Sequence, residues 1–499
     1  MWPLFILNEL NPIWAVVIPA LAVPFILVFG EGCRNLRETA IIIAGSLTLL
    51  INIIVFNGLL QGKPIESDSQ QLFAGLHLKL SAEPLGCLFA LLASFLWIVT
   101  TIYSIGYMRS HREKNQTRFY ICFAIAISAV MAVAYSDNFV TLFVAYEVIT
   151  LSTLPLVTHA GTPAAYRAGK IYILTLMTAS IGLLLPAMVW IWTTTGTLDF
   201  VEGGILASAE LSPTVLSVIL ALIVFGTAKA ALMPVHGWLP NAMVAPTPVS
   251  ALLHAVAVVK TGVFLILKVV VYIFGLETLR ESGAANWLIY LTCFAIILAS
   301  LIAMSKDNLK ARLAYSTVGQ LSYIILAALI ATPESIVGGS LHIVTHAFGK
   351  ITLFFCAGAI LVSLHYKNVS DLDGMGKHIP LTMFAFLIGS LSIIGLPPTA
   401  GLWSKLSISI GSLDAGLLIP LAVLMLSSLL NISYLLPIPV RAFFRPEKQR
   451  KQQEKEHHHT SEPLACKIAI SITMSFCILL FFYANKITDV IYPITDNLN

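Results

Sequence analysis

Charged side chains within long apolar stretches are the residues of this sequence best suited to chemistry. Glu147 lies in VAYEVIT, Lys229 in GTAKAAL and Lys260 in AVAVVKTGV. A buried carboxylate needs a cationic partner or must take up a proton, and Lys229 is the natural partner for Glu147. Lys260 has no acidic residue close in sequence, and a buried lysine can load and release a proton near neutral pH. These residues predict proton transfer inside a membrane; a static ion pair between Glu147 and Lys229 is the alternative.

A row of titratable residues supports this interpretation. His342, His346 and Lys350 follow i, i+4, i+8 spacing in LHIVTHAFGK, which places them on one face of a helix. Because histidine titrates near neutrality, such a row with intervening water can conduct protons. Two alternatives remain open: hydrogen-bonded core histidines, and a zinc pair for which no Glu or Cys completes the ligand set.

Glycines and prolines interrupt two of the apolar stretches, at Met233–Pro234 and at Gly395–Pro398. Lys229 precedes the first interruption and Lys405 follows the second. Broken helices in corresponding halves of a transporter mark a site near the membrane midplane, because the freed backbone groups admit water and ions. The sequence therefore predicts that both lysines act at helix breaks.

Two further lysines lie in apolar stretches. Lys170, in YRAGKIYIL, is close to a helix start and is either an anchor or a point of proton uptake. Lys268 is near the end of its helix and is expected to snorkel toward the membrane surface. The proton path is expected to begin near Lys170 or the histidine row.

The composition places these residues in a membrane protein. The chain has 499 residues, 58% hydrophobic and 11% charged, with a mean hydropathy of +0.87, whereas a soluble domain carries about 25% charged residues. The net charge of +4 lies in loops, which argues against nucleic-acid binding. The seven cysteines form no CxxC pair, and there is no P-loop, Rossmann fingerprint or zinc motif. We therefore expect no cofactor and no metal, and any redox group nearby would belong to another chain.

Apolar runs of about 20 residues, the length that crosses the hydrocarbon core, define about fourteen transmembrane helices. The N-terminal run lacks a basic leader and a cleavage motif, so it is expected to remain as a span. The sequence thus predicts an all-α integral membrane protein in one membrane domain. The predicted segments are 12–30, 39–60, 84–107, 117–135, 138–158, 167–194, 213–245, 247–275, 285–304, 309–331, 334–364, 380–411, 414–443 and 464–484.

Basic residues alternate between the loops. Loops after odd-numbered helices contain most of them, among them Arg34, Arg109 and Lys306, and loops after even-numbered helices are nearly free of them. By the positive-inside rule, the odd loops face the cytoplasm and both termini face outward. The loop 61–84 is long and polar, and 445–463 is expected to be a solvated cytoplasmic excursion.

The central motifs resemble the antiporter-like membrane subunits shared by respiratory complex I, membrane-bound hydrogenases and Mrp-type multisubunit Na+/H+ antiporters. The combination of PTPVSALLHA with VVKTG, and lysine instead of glutamate at 405, is most similar to the D subunits of Mrp antiporters. The resemblance runs from Asp137 to Lys405 in DNFVTLFVAYEVITLSTLPL, GTAKAALMPVHGWLPNAM, APTPVSALLHAVAVVKTGVFL, DNLKARLAYSTVGQLSYI, LHIVTHAFGKITLFFCAG and GLPPTAGLWSK.

The resemblance implies fourteen helices with two inverted five-helix repeats and broken helices 7 and 12. The domains would then be 1–116 with helices 1–3, 117–275 with helices 4–8, 276–443 with helices 9–13, and 444–499 with a cytoplasmic loop and helix 14.

The resemblance also implies roles for individual residues. Glu147 would be the fifth-helix glutamate, Lys229 the broken-helix lysine that pairs with it, Lys260 the central lysine of the eighth helix, and Lys405 the exit lysine of the twelfth. Met243 departs from the pattern, because many relatives have histidine there. This departure puts a side branch of the proton path at that position in doubt, and it does not affect the path through the lysines. Five further residues match polar positions on the proton path: His236, His254, His342, His346 and Lys350.

These observations predict the proton-translocating subunit of an Mrp-type monovalent cation (Na+)/proton antiporter in a bacterial inner membrane. It would have no catalytic or redox site of its own and would work with other membrane subunits, moving protons and sodium. Alternatives are a proton-pumping subunit of a complex I-like NADH–quinone oxidoreductase or membrane-bound hydrogenase, a bicarbonate- or CO2-uptake subunit with a soluble zinc partner, and a structural scaffold.

Overall fold

The protein is built almost entirely of helices. The structure, a computed structural model, describes residues 11–73, 75–447 and 461–496. Within these residues, eleven helices are long and apolar enough to cross a membrane, and three shorter apolar helices accompany them. The main helices are α1 Ile13–Phe29, α2 Arg34–Leu60, α3 Pro84–Ser110, α4 Gln116–Ala134, α5 Phe139–Val157, α6 Pro163–Thr195, α7 Pro213–Gly226, α8 Thr247–Phe274, α9 Asn286–Ser305, α10 Leu309–Ile330, α11 Pro333–Leu364, α12 Pro380–Ile394, α13 Gly401–Asp414, α14 Leu418–Phe444 and α15 Leu464–Thr495.

The helices α12 and α13 are the two halves of the predicted twelfth helix, so this order matches the fourteen predicted segments. The all-α membrane fold is confirmed. A short two-stranded hairpin, β1 Gln70–Phe73 and β2 Leu76–Leu78, is the main exception to helix in the described part of the chain.

Short polar residues and prolines determine where the helices begin. Proline occupies the start of α3, α6, α7, α11 and α12, where its missing N–H removes no intrahelical hydrogen bond. Because such residues are visible in the sequence, most predicted helix starts lie within a few residues of the observed ones. Side chains that accept a hydrogen bond from a first-turn N–H are those of Asn138, Thr162, Ser212, Asn308 and Thr332.

The predicted seventh helix is broken, as expected. After α7 ends at Gly226, the chain passes through 3-10 turns at Ala228–Ala230 and Val235–Gly237 before the short helix Trp238–Asn241. A break of this kind frees backbone carbonyls that need new donors. The indole N–H of Trp238 supplies one by donating to the carbonyl oxygen of Ala228 at 2.9 Å.

The predicted twelfth helix is broken at residues 395–400. Here the freed carbonyl oxygen of Ile394 accepts a hydrogen bond from the ammonium group of Lys405, at 2.9 Å. The same ammonium group lies 3.2 Å from the hydroxyl oxygen of Ser428 on α14. The second break is therefore bound by a titratable side chain, whereas the first is bound by a neutral indole.

The loops after even-numbered predicted helices gather at one end of the bundle. The loop 61–83 contains the β1–β2 hairpin, and isolated bridges join Leu80 to Ser136 and Asn138 to Asp199. We call this the hairpin end. The loops after odd-numbered predicted helices gather at the opposite end, which we call the basic end; Asn308 and Asn368 form a bridge there.

Two helices are longer than predicted. α2 begins at Arg34 instead of residue 39, because Arg37 is fully buried and donates to Gln116 at 3.0 Å and to Glu31 at 3.1 Å. These partners allow charged residues to join the first turns of a helix that the sequence alone would begin later. α15 continues to Thr495 instead of residue 484.

Two local features were not predicted. The loop 61–84 was expected to be long and polar, and it also contains the β1–β2 hairpin. α8 is interrupted at residues 256–257, between segments Thr247–Ala255 and Val258–Val269. Neither residue is glycine or proline, so the sequence carried no sign of this interruption.

Some predictions fall outside the described residues. They concern the N-terminal residues 1–10, residues 448–460 of the polar loop, the C-terminal residues 497–499 and the side chain of His254.

Candidate functional site

Lys229 occupies the 3-10 turn at the first break and is fully buried. Its ammonium group donates to the carbonyl oxygen of Tyr146 at 2.8 Å and lies 3.0 Å from the centroid of the Tyr146 ring. A desolvated cation over an aromatic ring gains about 2 kcal/mol. The ring and carbonyl of one residue of α5 therefore stabilise the buried charge.

Glu147, the predicted partner of Lys229, does not contact it in this structure. Both carboxylate oxygens of Glu147 are buried and have no hydrogen-bond partner in the described part of the chain. Lys229 binds instead to the peptide group immediately before Glu147. The two alternative partners of Lys229 are adjacent along α5, so a change of lysine rotamer can exchange one for the other.

α8 packs directly against the first break. A Cβ at Gly262 would lie 2.3 Å from the backbone nitrogen of Ala230 and 2.6 Å from the carbonyl carbon of Lys229. Only glycine permits this approach. The backbone position of Lys229 is therefore set by the helix that also holds Lys260.

We expect Gly262→Ala to lower transport about 10- to 100-fold, because displacing a functional group by about 1 Å can have an effect of this size. The added methyl group must push the turn that holds Lys229 away from α8. Gly182→Ala in α6 is the matched control, since a Cβ at Gly182 meets no atom within 4 Å. Transport rates per assembled complex check this prediction, and a wild-type rate for Gly262→Ala contradicts it.

Lys260 lies in the first turn after the interruption of α8 and points toward α11. Its Nζ and the Nδ1 of His346 are 2.5 Å apart and share a hydrogen bond. The N-terminal end of a helix segment carries partial positive charge, which disfavours an ammonium group nearby, whereas a neutral imidazole nitrogen can accept its proton. The pair is therefore suited to exchanging a proton.

His342 continues the chain of contacts on α11. Its ring stacks on that of His346 with centroids 5.7 Å apart, and its Nδ1 lies 2.8 Å from Oγ of Ser404 on α13. Ser404 directly precedes Lys405, whose Nζ is 4.9 Å from the centroid of Tyr323, and that ring stacks on His342. A continuous series of buried side-chain contacts, some of them hydrogen bonds and some of them ring contacts, therefore runs from α8 through α11 to α13.

Lys350, the third member of the histidine row, turns toward a different set of partners. Its Nζ lies 2.6 Å from Oγ of Ser316 on α10. Tyr434 and Asn431 lie on α14. The Tyr434 hydroxyl is 2.8 Å from Oγ of Ser316 and 2.5 Å from Oδ1 of Asn431. Lys350 therefore begins a hydroxyl-lined branch and does not stand between the histidines and Lys405.

Two predicted path residues with described side chains, Lys170 and His236, are not brought into this series. Lys170 is exposed on α6. His236 is half-buried at the first break, with its ring centroid 6.1 Å from that of Tyr315. The side chain of His254 lies outside the described part of the structure.

Neutral polar residues that link the titratable ones were missed in the sequence. Hydroxyl groups close to the lysines were visible in the motifs, for example the serine of LWSK, but they have no charge that marks them within an apolar run. The missed residues are Tyr146, Ser316, Tyr323, Ser404 and Tyr434.

A cavity of about 330 Å³ opens at the basic end. Tyr107, Glu113 and Lys310 line it, and the Lys310 ammonium donates to the carbonyl oxygen of Ala245 at 2.6 Å. Burial raises the pKa of Glu113, and the nearby charges of His111 and Lys310 oppose this shift. Glu113 can therefore hold a proton at a higher pH than a surface carboxylate does.

The fold and the site define a class of protein: a multi-pass membrane protein in which two broken helices flank a buried series of titratable side chains. The chain matches the family described as NADH:quinone oxidoreductase/Mrp antiporter, transmembrane, over residues 136–431. It belongs to this family of antiporter-like integral membrane proteins.

Curated relatives support this membership. The chain is 30% identical over 370 residues to NADH-quinone oxidoreductase subunit N of Desulforudis audaxviator, covering 74% of this chain and 73% of that one. It is 30% identical over 340 residues to NAD(P)H-quinone oxidoreductase chain 5 of Synechocystis sp., where the match covers 65% of this chain and 48% of the relative. The chain thus spans about half the length of that second relative.

Two solved complexes contain chains of the same fold. One is the membrane-bound sulfane sulfur reductase, an archaeal respiratory membrane complex, with a TM-score of 0.83, 24% identity and 97% coverage of both chains. The other is the Mrp complex from Dietzia sp., with a TM-score of 0.84, 20% identity, and coverage of 98% of this chain and 97% of that one.

Proposed function

We propose that this chain is the proton-translocating subunit of an Mrp-type Na+/H+ antiporter complex. The observation that carries the proposal is the series of contacts from Lys260 through His346 to His342, which contacts Ser404 and, through the ring of Tyr323, is connected to Lys405. This series aligns titratable groups on neighbouring helices between two broken helices, where transporters place their ion sites. The fold shared with a chain of an Mrp complex supports the assignment.

The proton is taken up through the cavity at the basic end, where Glu113 and Lys310 are among the titratable groups that line the cavity. It reaches Lys260, passes to His346 and His342, and leaves through Ser404 and Lys405. The step between the stacked histidines requires ring rotation or a bridging water, because their contact is a stack and not a hydrogen bond. The exposed position of Lys170 favours an anchoring role for it.

Glu147 and Lys229 act as a switch beside this path. With Lys229 bound to the Tyr146 carbonyl, its charge is not neutralised by direct contact with Glu147. Formation of the ion pair lowers the positive potential that Lys229 exerts at Lys260 and favours the protonated form of Lys260, and separation favours release of its proton. The present arrangement corresponds to the separated state.

The basic end faces the cytoplasm of a bacterial cell, in the inner membrane, and the hairpin end and both termini face outward. The excess of Lys and Arg in the odd loops supports this orientation. In this arrangement α4 to α8 form the first repeat and α9 to α14 the second. The partners are the other membrane subunits of the complex.

A second candidate is a proton-pumping subunit of a redox-driven complex. The names of the curated relatives, which are quinone oxidoreductase subunits, favour it. The same proton path would then be driven by quinone or ferredoxin chemistry in partner chains. The two candidates therefore differ in the driving reaction, which is redox chemistry in one and exchange of Na+ for protons in the other.

Everted membrane vesicles that contain the complete complex test the assignment. After respiration acidifies the lumen, addition of Na+ is expected to dissipate the pH gradient, measured with a fluorescent amine dye, and vesicles that lack this chain are expected not to respond. The chains that co-purify are identified in the same preparation. No response to Na+, together with proton uptake coupled to quinone reduction and co-purified iron–sulfur subunits, would overturn the Mrp assignment in favour of the redox-driven one.

A further inference from the structure

Lys268 does not snorkel to the membrane surface, as its sequence position suggested. It lies near the end of α8, eight residues after Lys260, and is 1% exposed. Its Nζ is 2.6 Å from Oε1 of Glu83 and donates to the carbonyl oxygen of Ser136 at 2.5 Å. The ring of Phe200 covers it, with the centroid 4.6 Å from Nζ. α8 therefore carries a second buried lysine, which is ion-paired with Glu83.

This ion pair adjoins the surface of the hairpin end. Glu83 precedes α3 and its side chain is 17% exposed. In the neighbouring turn, Asp137 pairs with Lys79 at 3.0 Å, and Lys79 also pairs with Glu66 at 2.7 Å. The side chains of these three residues are 24% to 48% exposed. Charged groups thus continue from the buried pair to the solvent-accessible loops.

Two stacked rings separate the pair from the central lysine. Phe264 lies midway between Lys260 and Lys268 on α8 and stacks on Phe89 of α3, with centroids 4.8 Å apart. Both rings are buried, and Nζ of Lys268 is 5.7 Å from the Phe264 centroid. At about 1.5 Å per residue, the two lysines are only about 12 Å apart along the helix axis. One close-packed apolar contact therefore interrupts an otherwise short polar route.

We propose that Lys268 and Glu83 form a second proton-binding site, open to the hairpin end and closed toward Lys260 by the contact between Phe89 and Phe264. The inference rests on the proposed function in one respect, that Lys260 carries protons. Because a packed apolar contact leaves no room for water, a proton on Lys260 has no direct route along α8 and must leave through α11. The rings therefore prevent a leak that would bypass the second repeat.

A purely structural role makes a different prediction. If the Lys268–Glu83 pair only holds α3, α8 and the turn at Ser136 together, replacing either residue would destabilise the fold. Opening the contact between Phe89 and Phe264 would then not increase proton flux. The pair and the rings must therefore be tested together, by a measurement of passive proton flux.

The complete complex is reconstituted in liposomes that contain a trapped pH indicator, without Na+, and an external acid pulse is applied. Phe264→Ala is expected to accelerate proton influx about tenfold, which corresponds to a barrier lowered by about 1.4 kcal/mol. The double variant Phe264→Ala/Glu83→Gln is expected to return influx close to the wild-type rate, because the open route then lacks its carboxylate.

Two controls isolate the ring contact. Phe264→Leu keeps an apolar side chain in place and is expected to stay tight. Phe123→Ala removes a buried ring of α4 that packs near Trp97, 6.5 Å between centroids, and contacts neither lysine; it is also expected to stay tight. If Phe264→Ala does not assemble, Phe89→Ala opens the same contact from α3.

If vesicles with the assembled Phe264→Ala variant, or with Phe89→Ala in its place, leak no faster than wild type, the Phe89–Phe264 contact is not a barrier to protons. If the leak persists when Glu83→Gln is added, Lys268 and Glu83 are not the proton-binding site. Both measurements are made without Na+, so they do not depend on cation exchange. A wild-type complex that exchanges no Na+ for protons refutes the Mrp assignment and leaves the leak result to be judged separately.

Discussion

Replacing Lys229 with alanine is expected to abolish coupled transport, with a loss of about 100-fold, near the upper end of the range for a coupling free energy of about 1–3 kcal/mol. The buried ammonium group lies over Tyr146 and next to Glu147 along α5. Without it, the electrostatic potential at Lys260 no longer changes when the switch moves. Na+-driven pH changes in proteoliposomes, normalised to assembled complex, measure this loss.

The arginine variant identifies how Lys229 acts. Arginine stays protonated in proteins, so Lys229→Arg keeps the charge but cannot carry a proton. A switch that works through charge is expected to keep part of its activity with arginine. Glu147→Gln is expected to match Lys229→Ala, and the double variant to be no worse than either, because the two residues act as a unit.

Lys486→Ala is the matched control, since Lys486 is exposed on α15. Full transport by both Lys229→Ala and Glu147→Gln, with normal assembly, would falsify the switch.

Replacing Lys260 with arginine is expected to lower transport by about 100-fold or more, the usual contribution of a positioned proton-transfer group. The guanidinium can still donate to His346, but it cannot release its proton. Lys260→Met is expected to be equally inactive. Lys260 therefore differs from Lys229 in the response to arginine, and the two lysines are distinguished by one substitution.

The measurement is again the transport rate per assembled complex, with thermal stability in detergent recorded for each variant. Activity of Lys260→Arg near the wild-type rate shows that Lys260 does not carry the proton. Loss of assembly in Lys260→Arg but not in Lys260→Met identifies a steric effect of arginine. In that case the transport rate of Lys260→Met shows whether Lys260 carries the proton.

The sequence was sufficient to predict most of the helical frame and the faces of its helices. The i, i+4, i+8 spacing of His342, His346 and Lys350 correctly placed all three in the buried interior of α11. It could not predict that Lys350 turns to Ser316, because helical spacing fixes a face and not a partner on the neighbouring helix. That choice depends on how α10 and α14 pack, which is a tertiary property.

The pairing of Glu147 with Lys229 illustrates a second limit. Charge complementarity correctly indicated two residues that lie near each other, and the contact itself is absent because the carbonyl and ring of Tyr146 compete for the ammonium group. A sequence shows which side chains have opposite charges, but it does not show which backbone carbonyl will accept a hydrogen bond from a lysine. Every residue has a carbonyl, and the helix geometry determines which of them a lysine can reach.

Lys268 illustrates a third limit. Its distance from the end of α8 suggested a side chain that reaches toward the surface, but Ser136, Phe200 and Glu83 come from three separate loops and enclose it. Burial at a helix end depends on loop structure, which is weakly encoded in local patterns. The β1–β2 hairpin was missed for the same reason.

The hydrogen bond between Lys260 and His346 limits how many charges this junction can hold. Either the ammonium donates to a neutral imidazole nitrogen, or a protonated imidazole donates to a neutral amine; each form contains one excess proton. If both were protonated, two N–H groups would face each other at 2.5 Å with no acceptor between them. The Lys260–His346 pair therefore holds one excess proton at a time, and it can bind a second proton only after the first has been transferred to the next group.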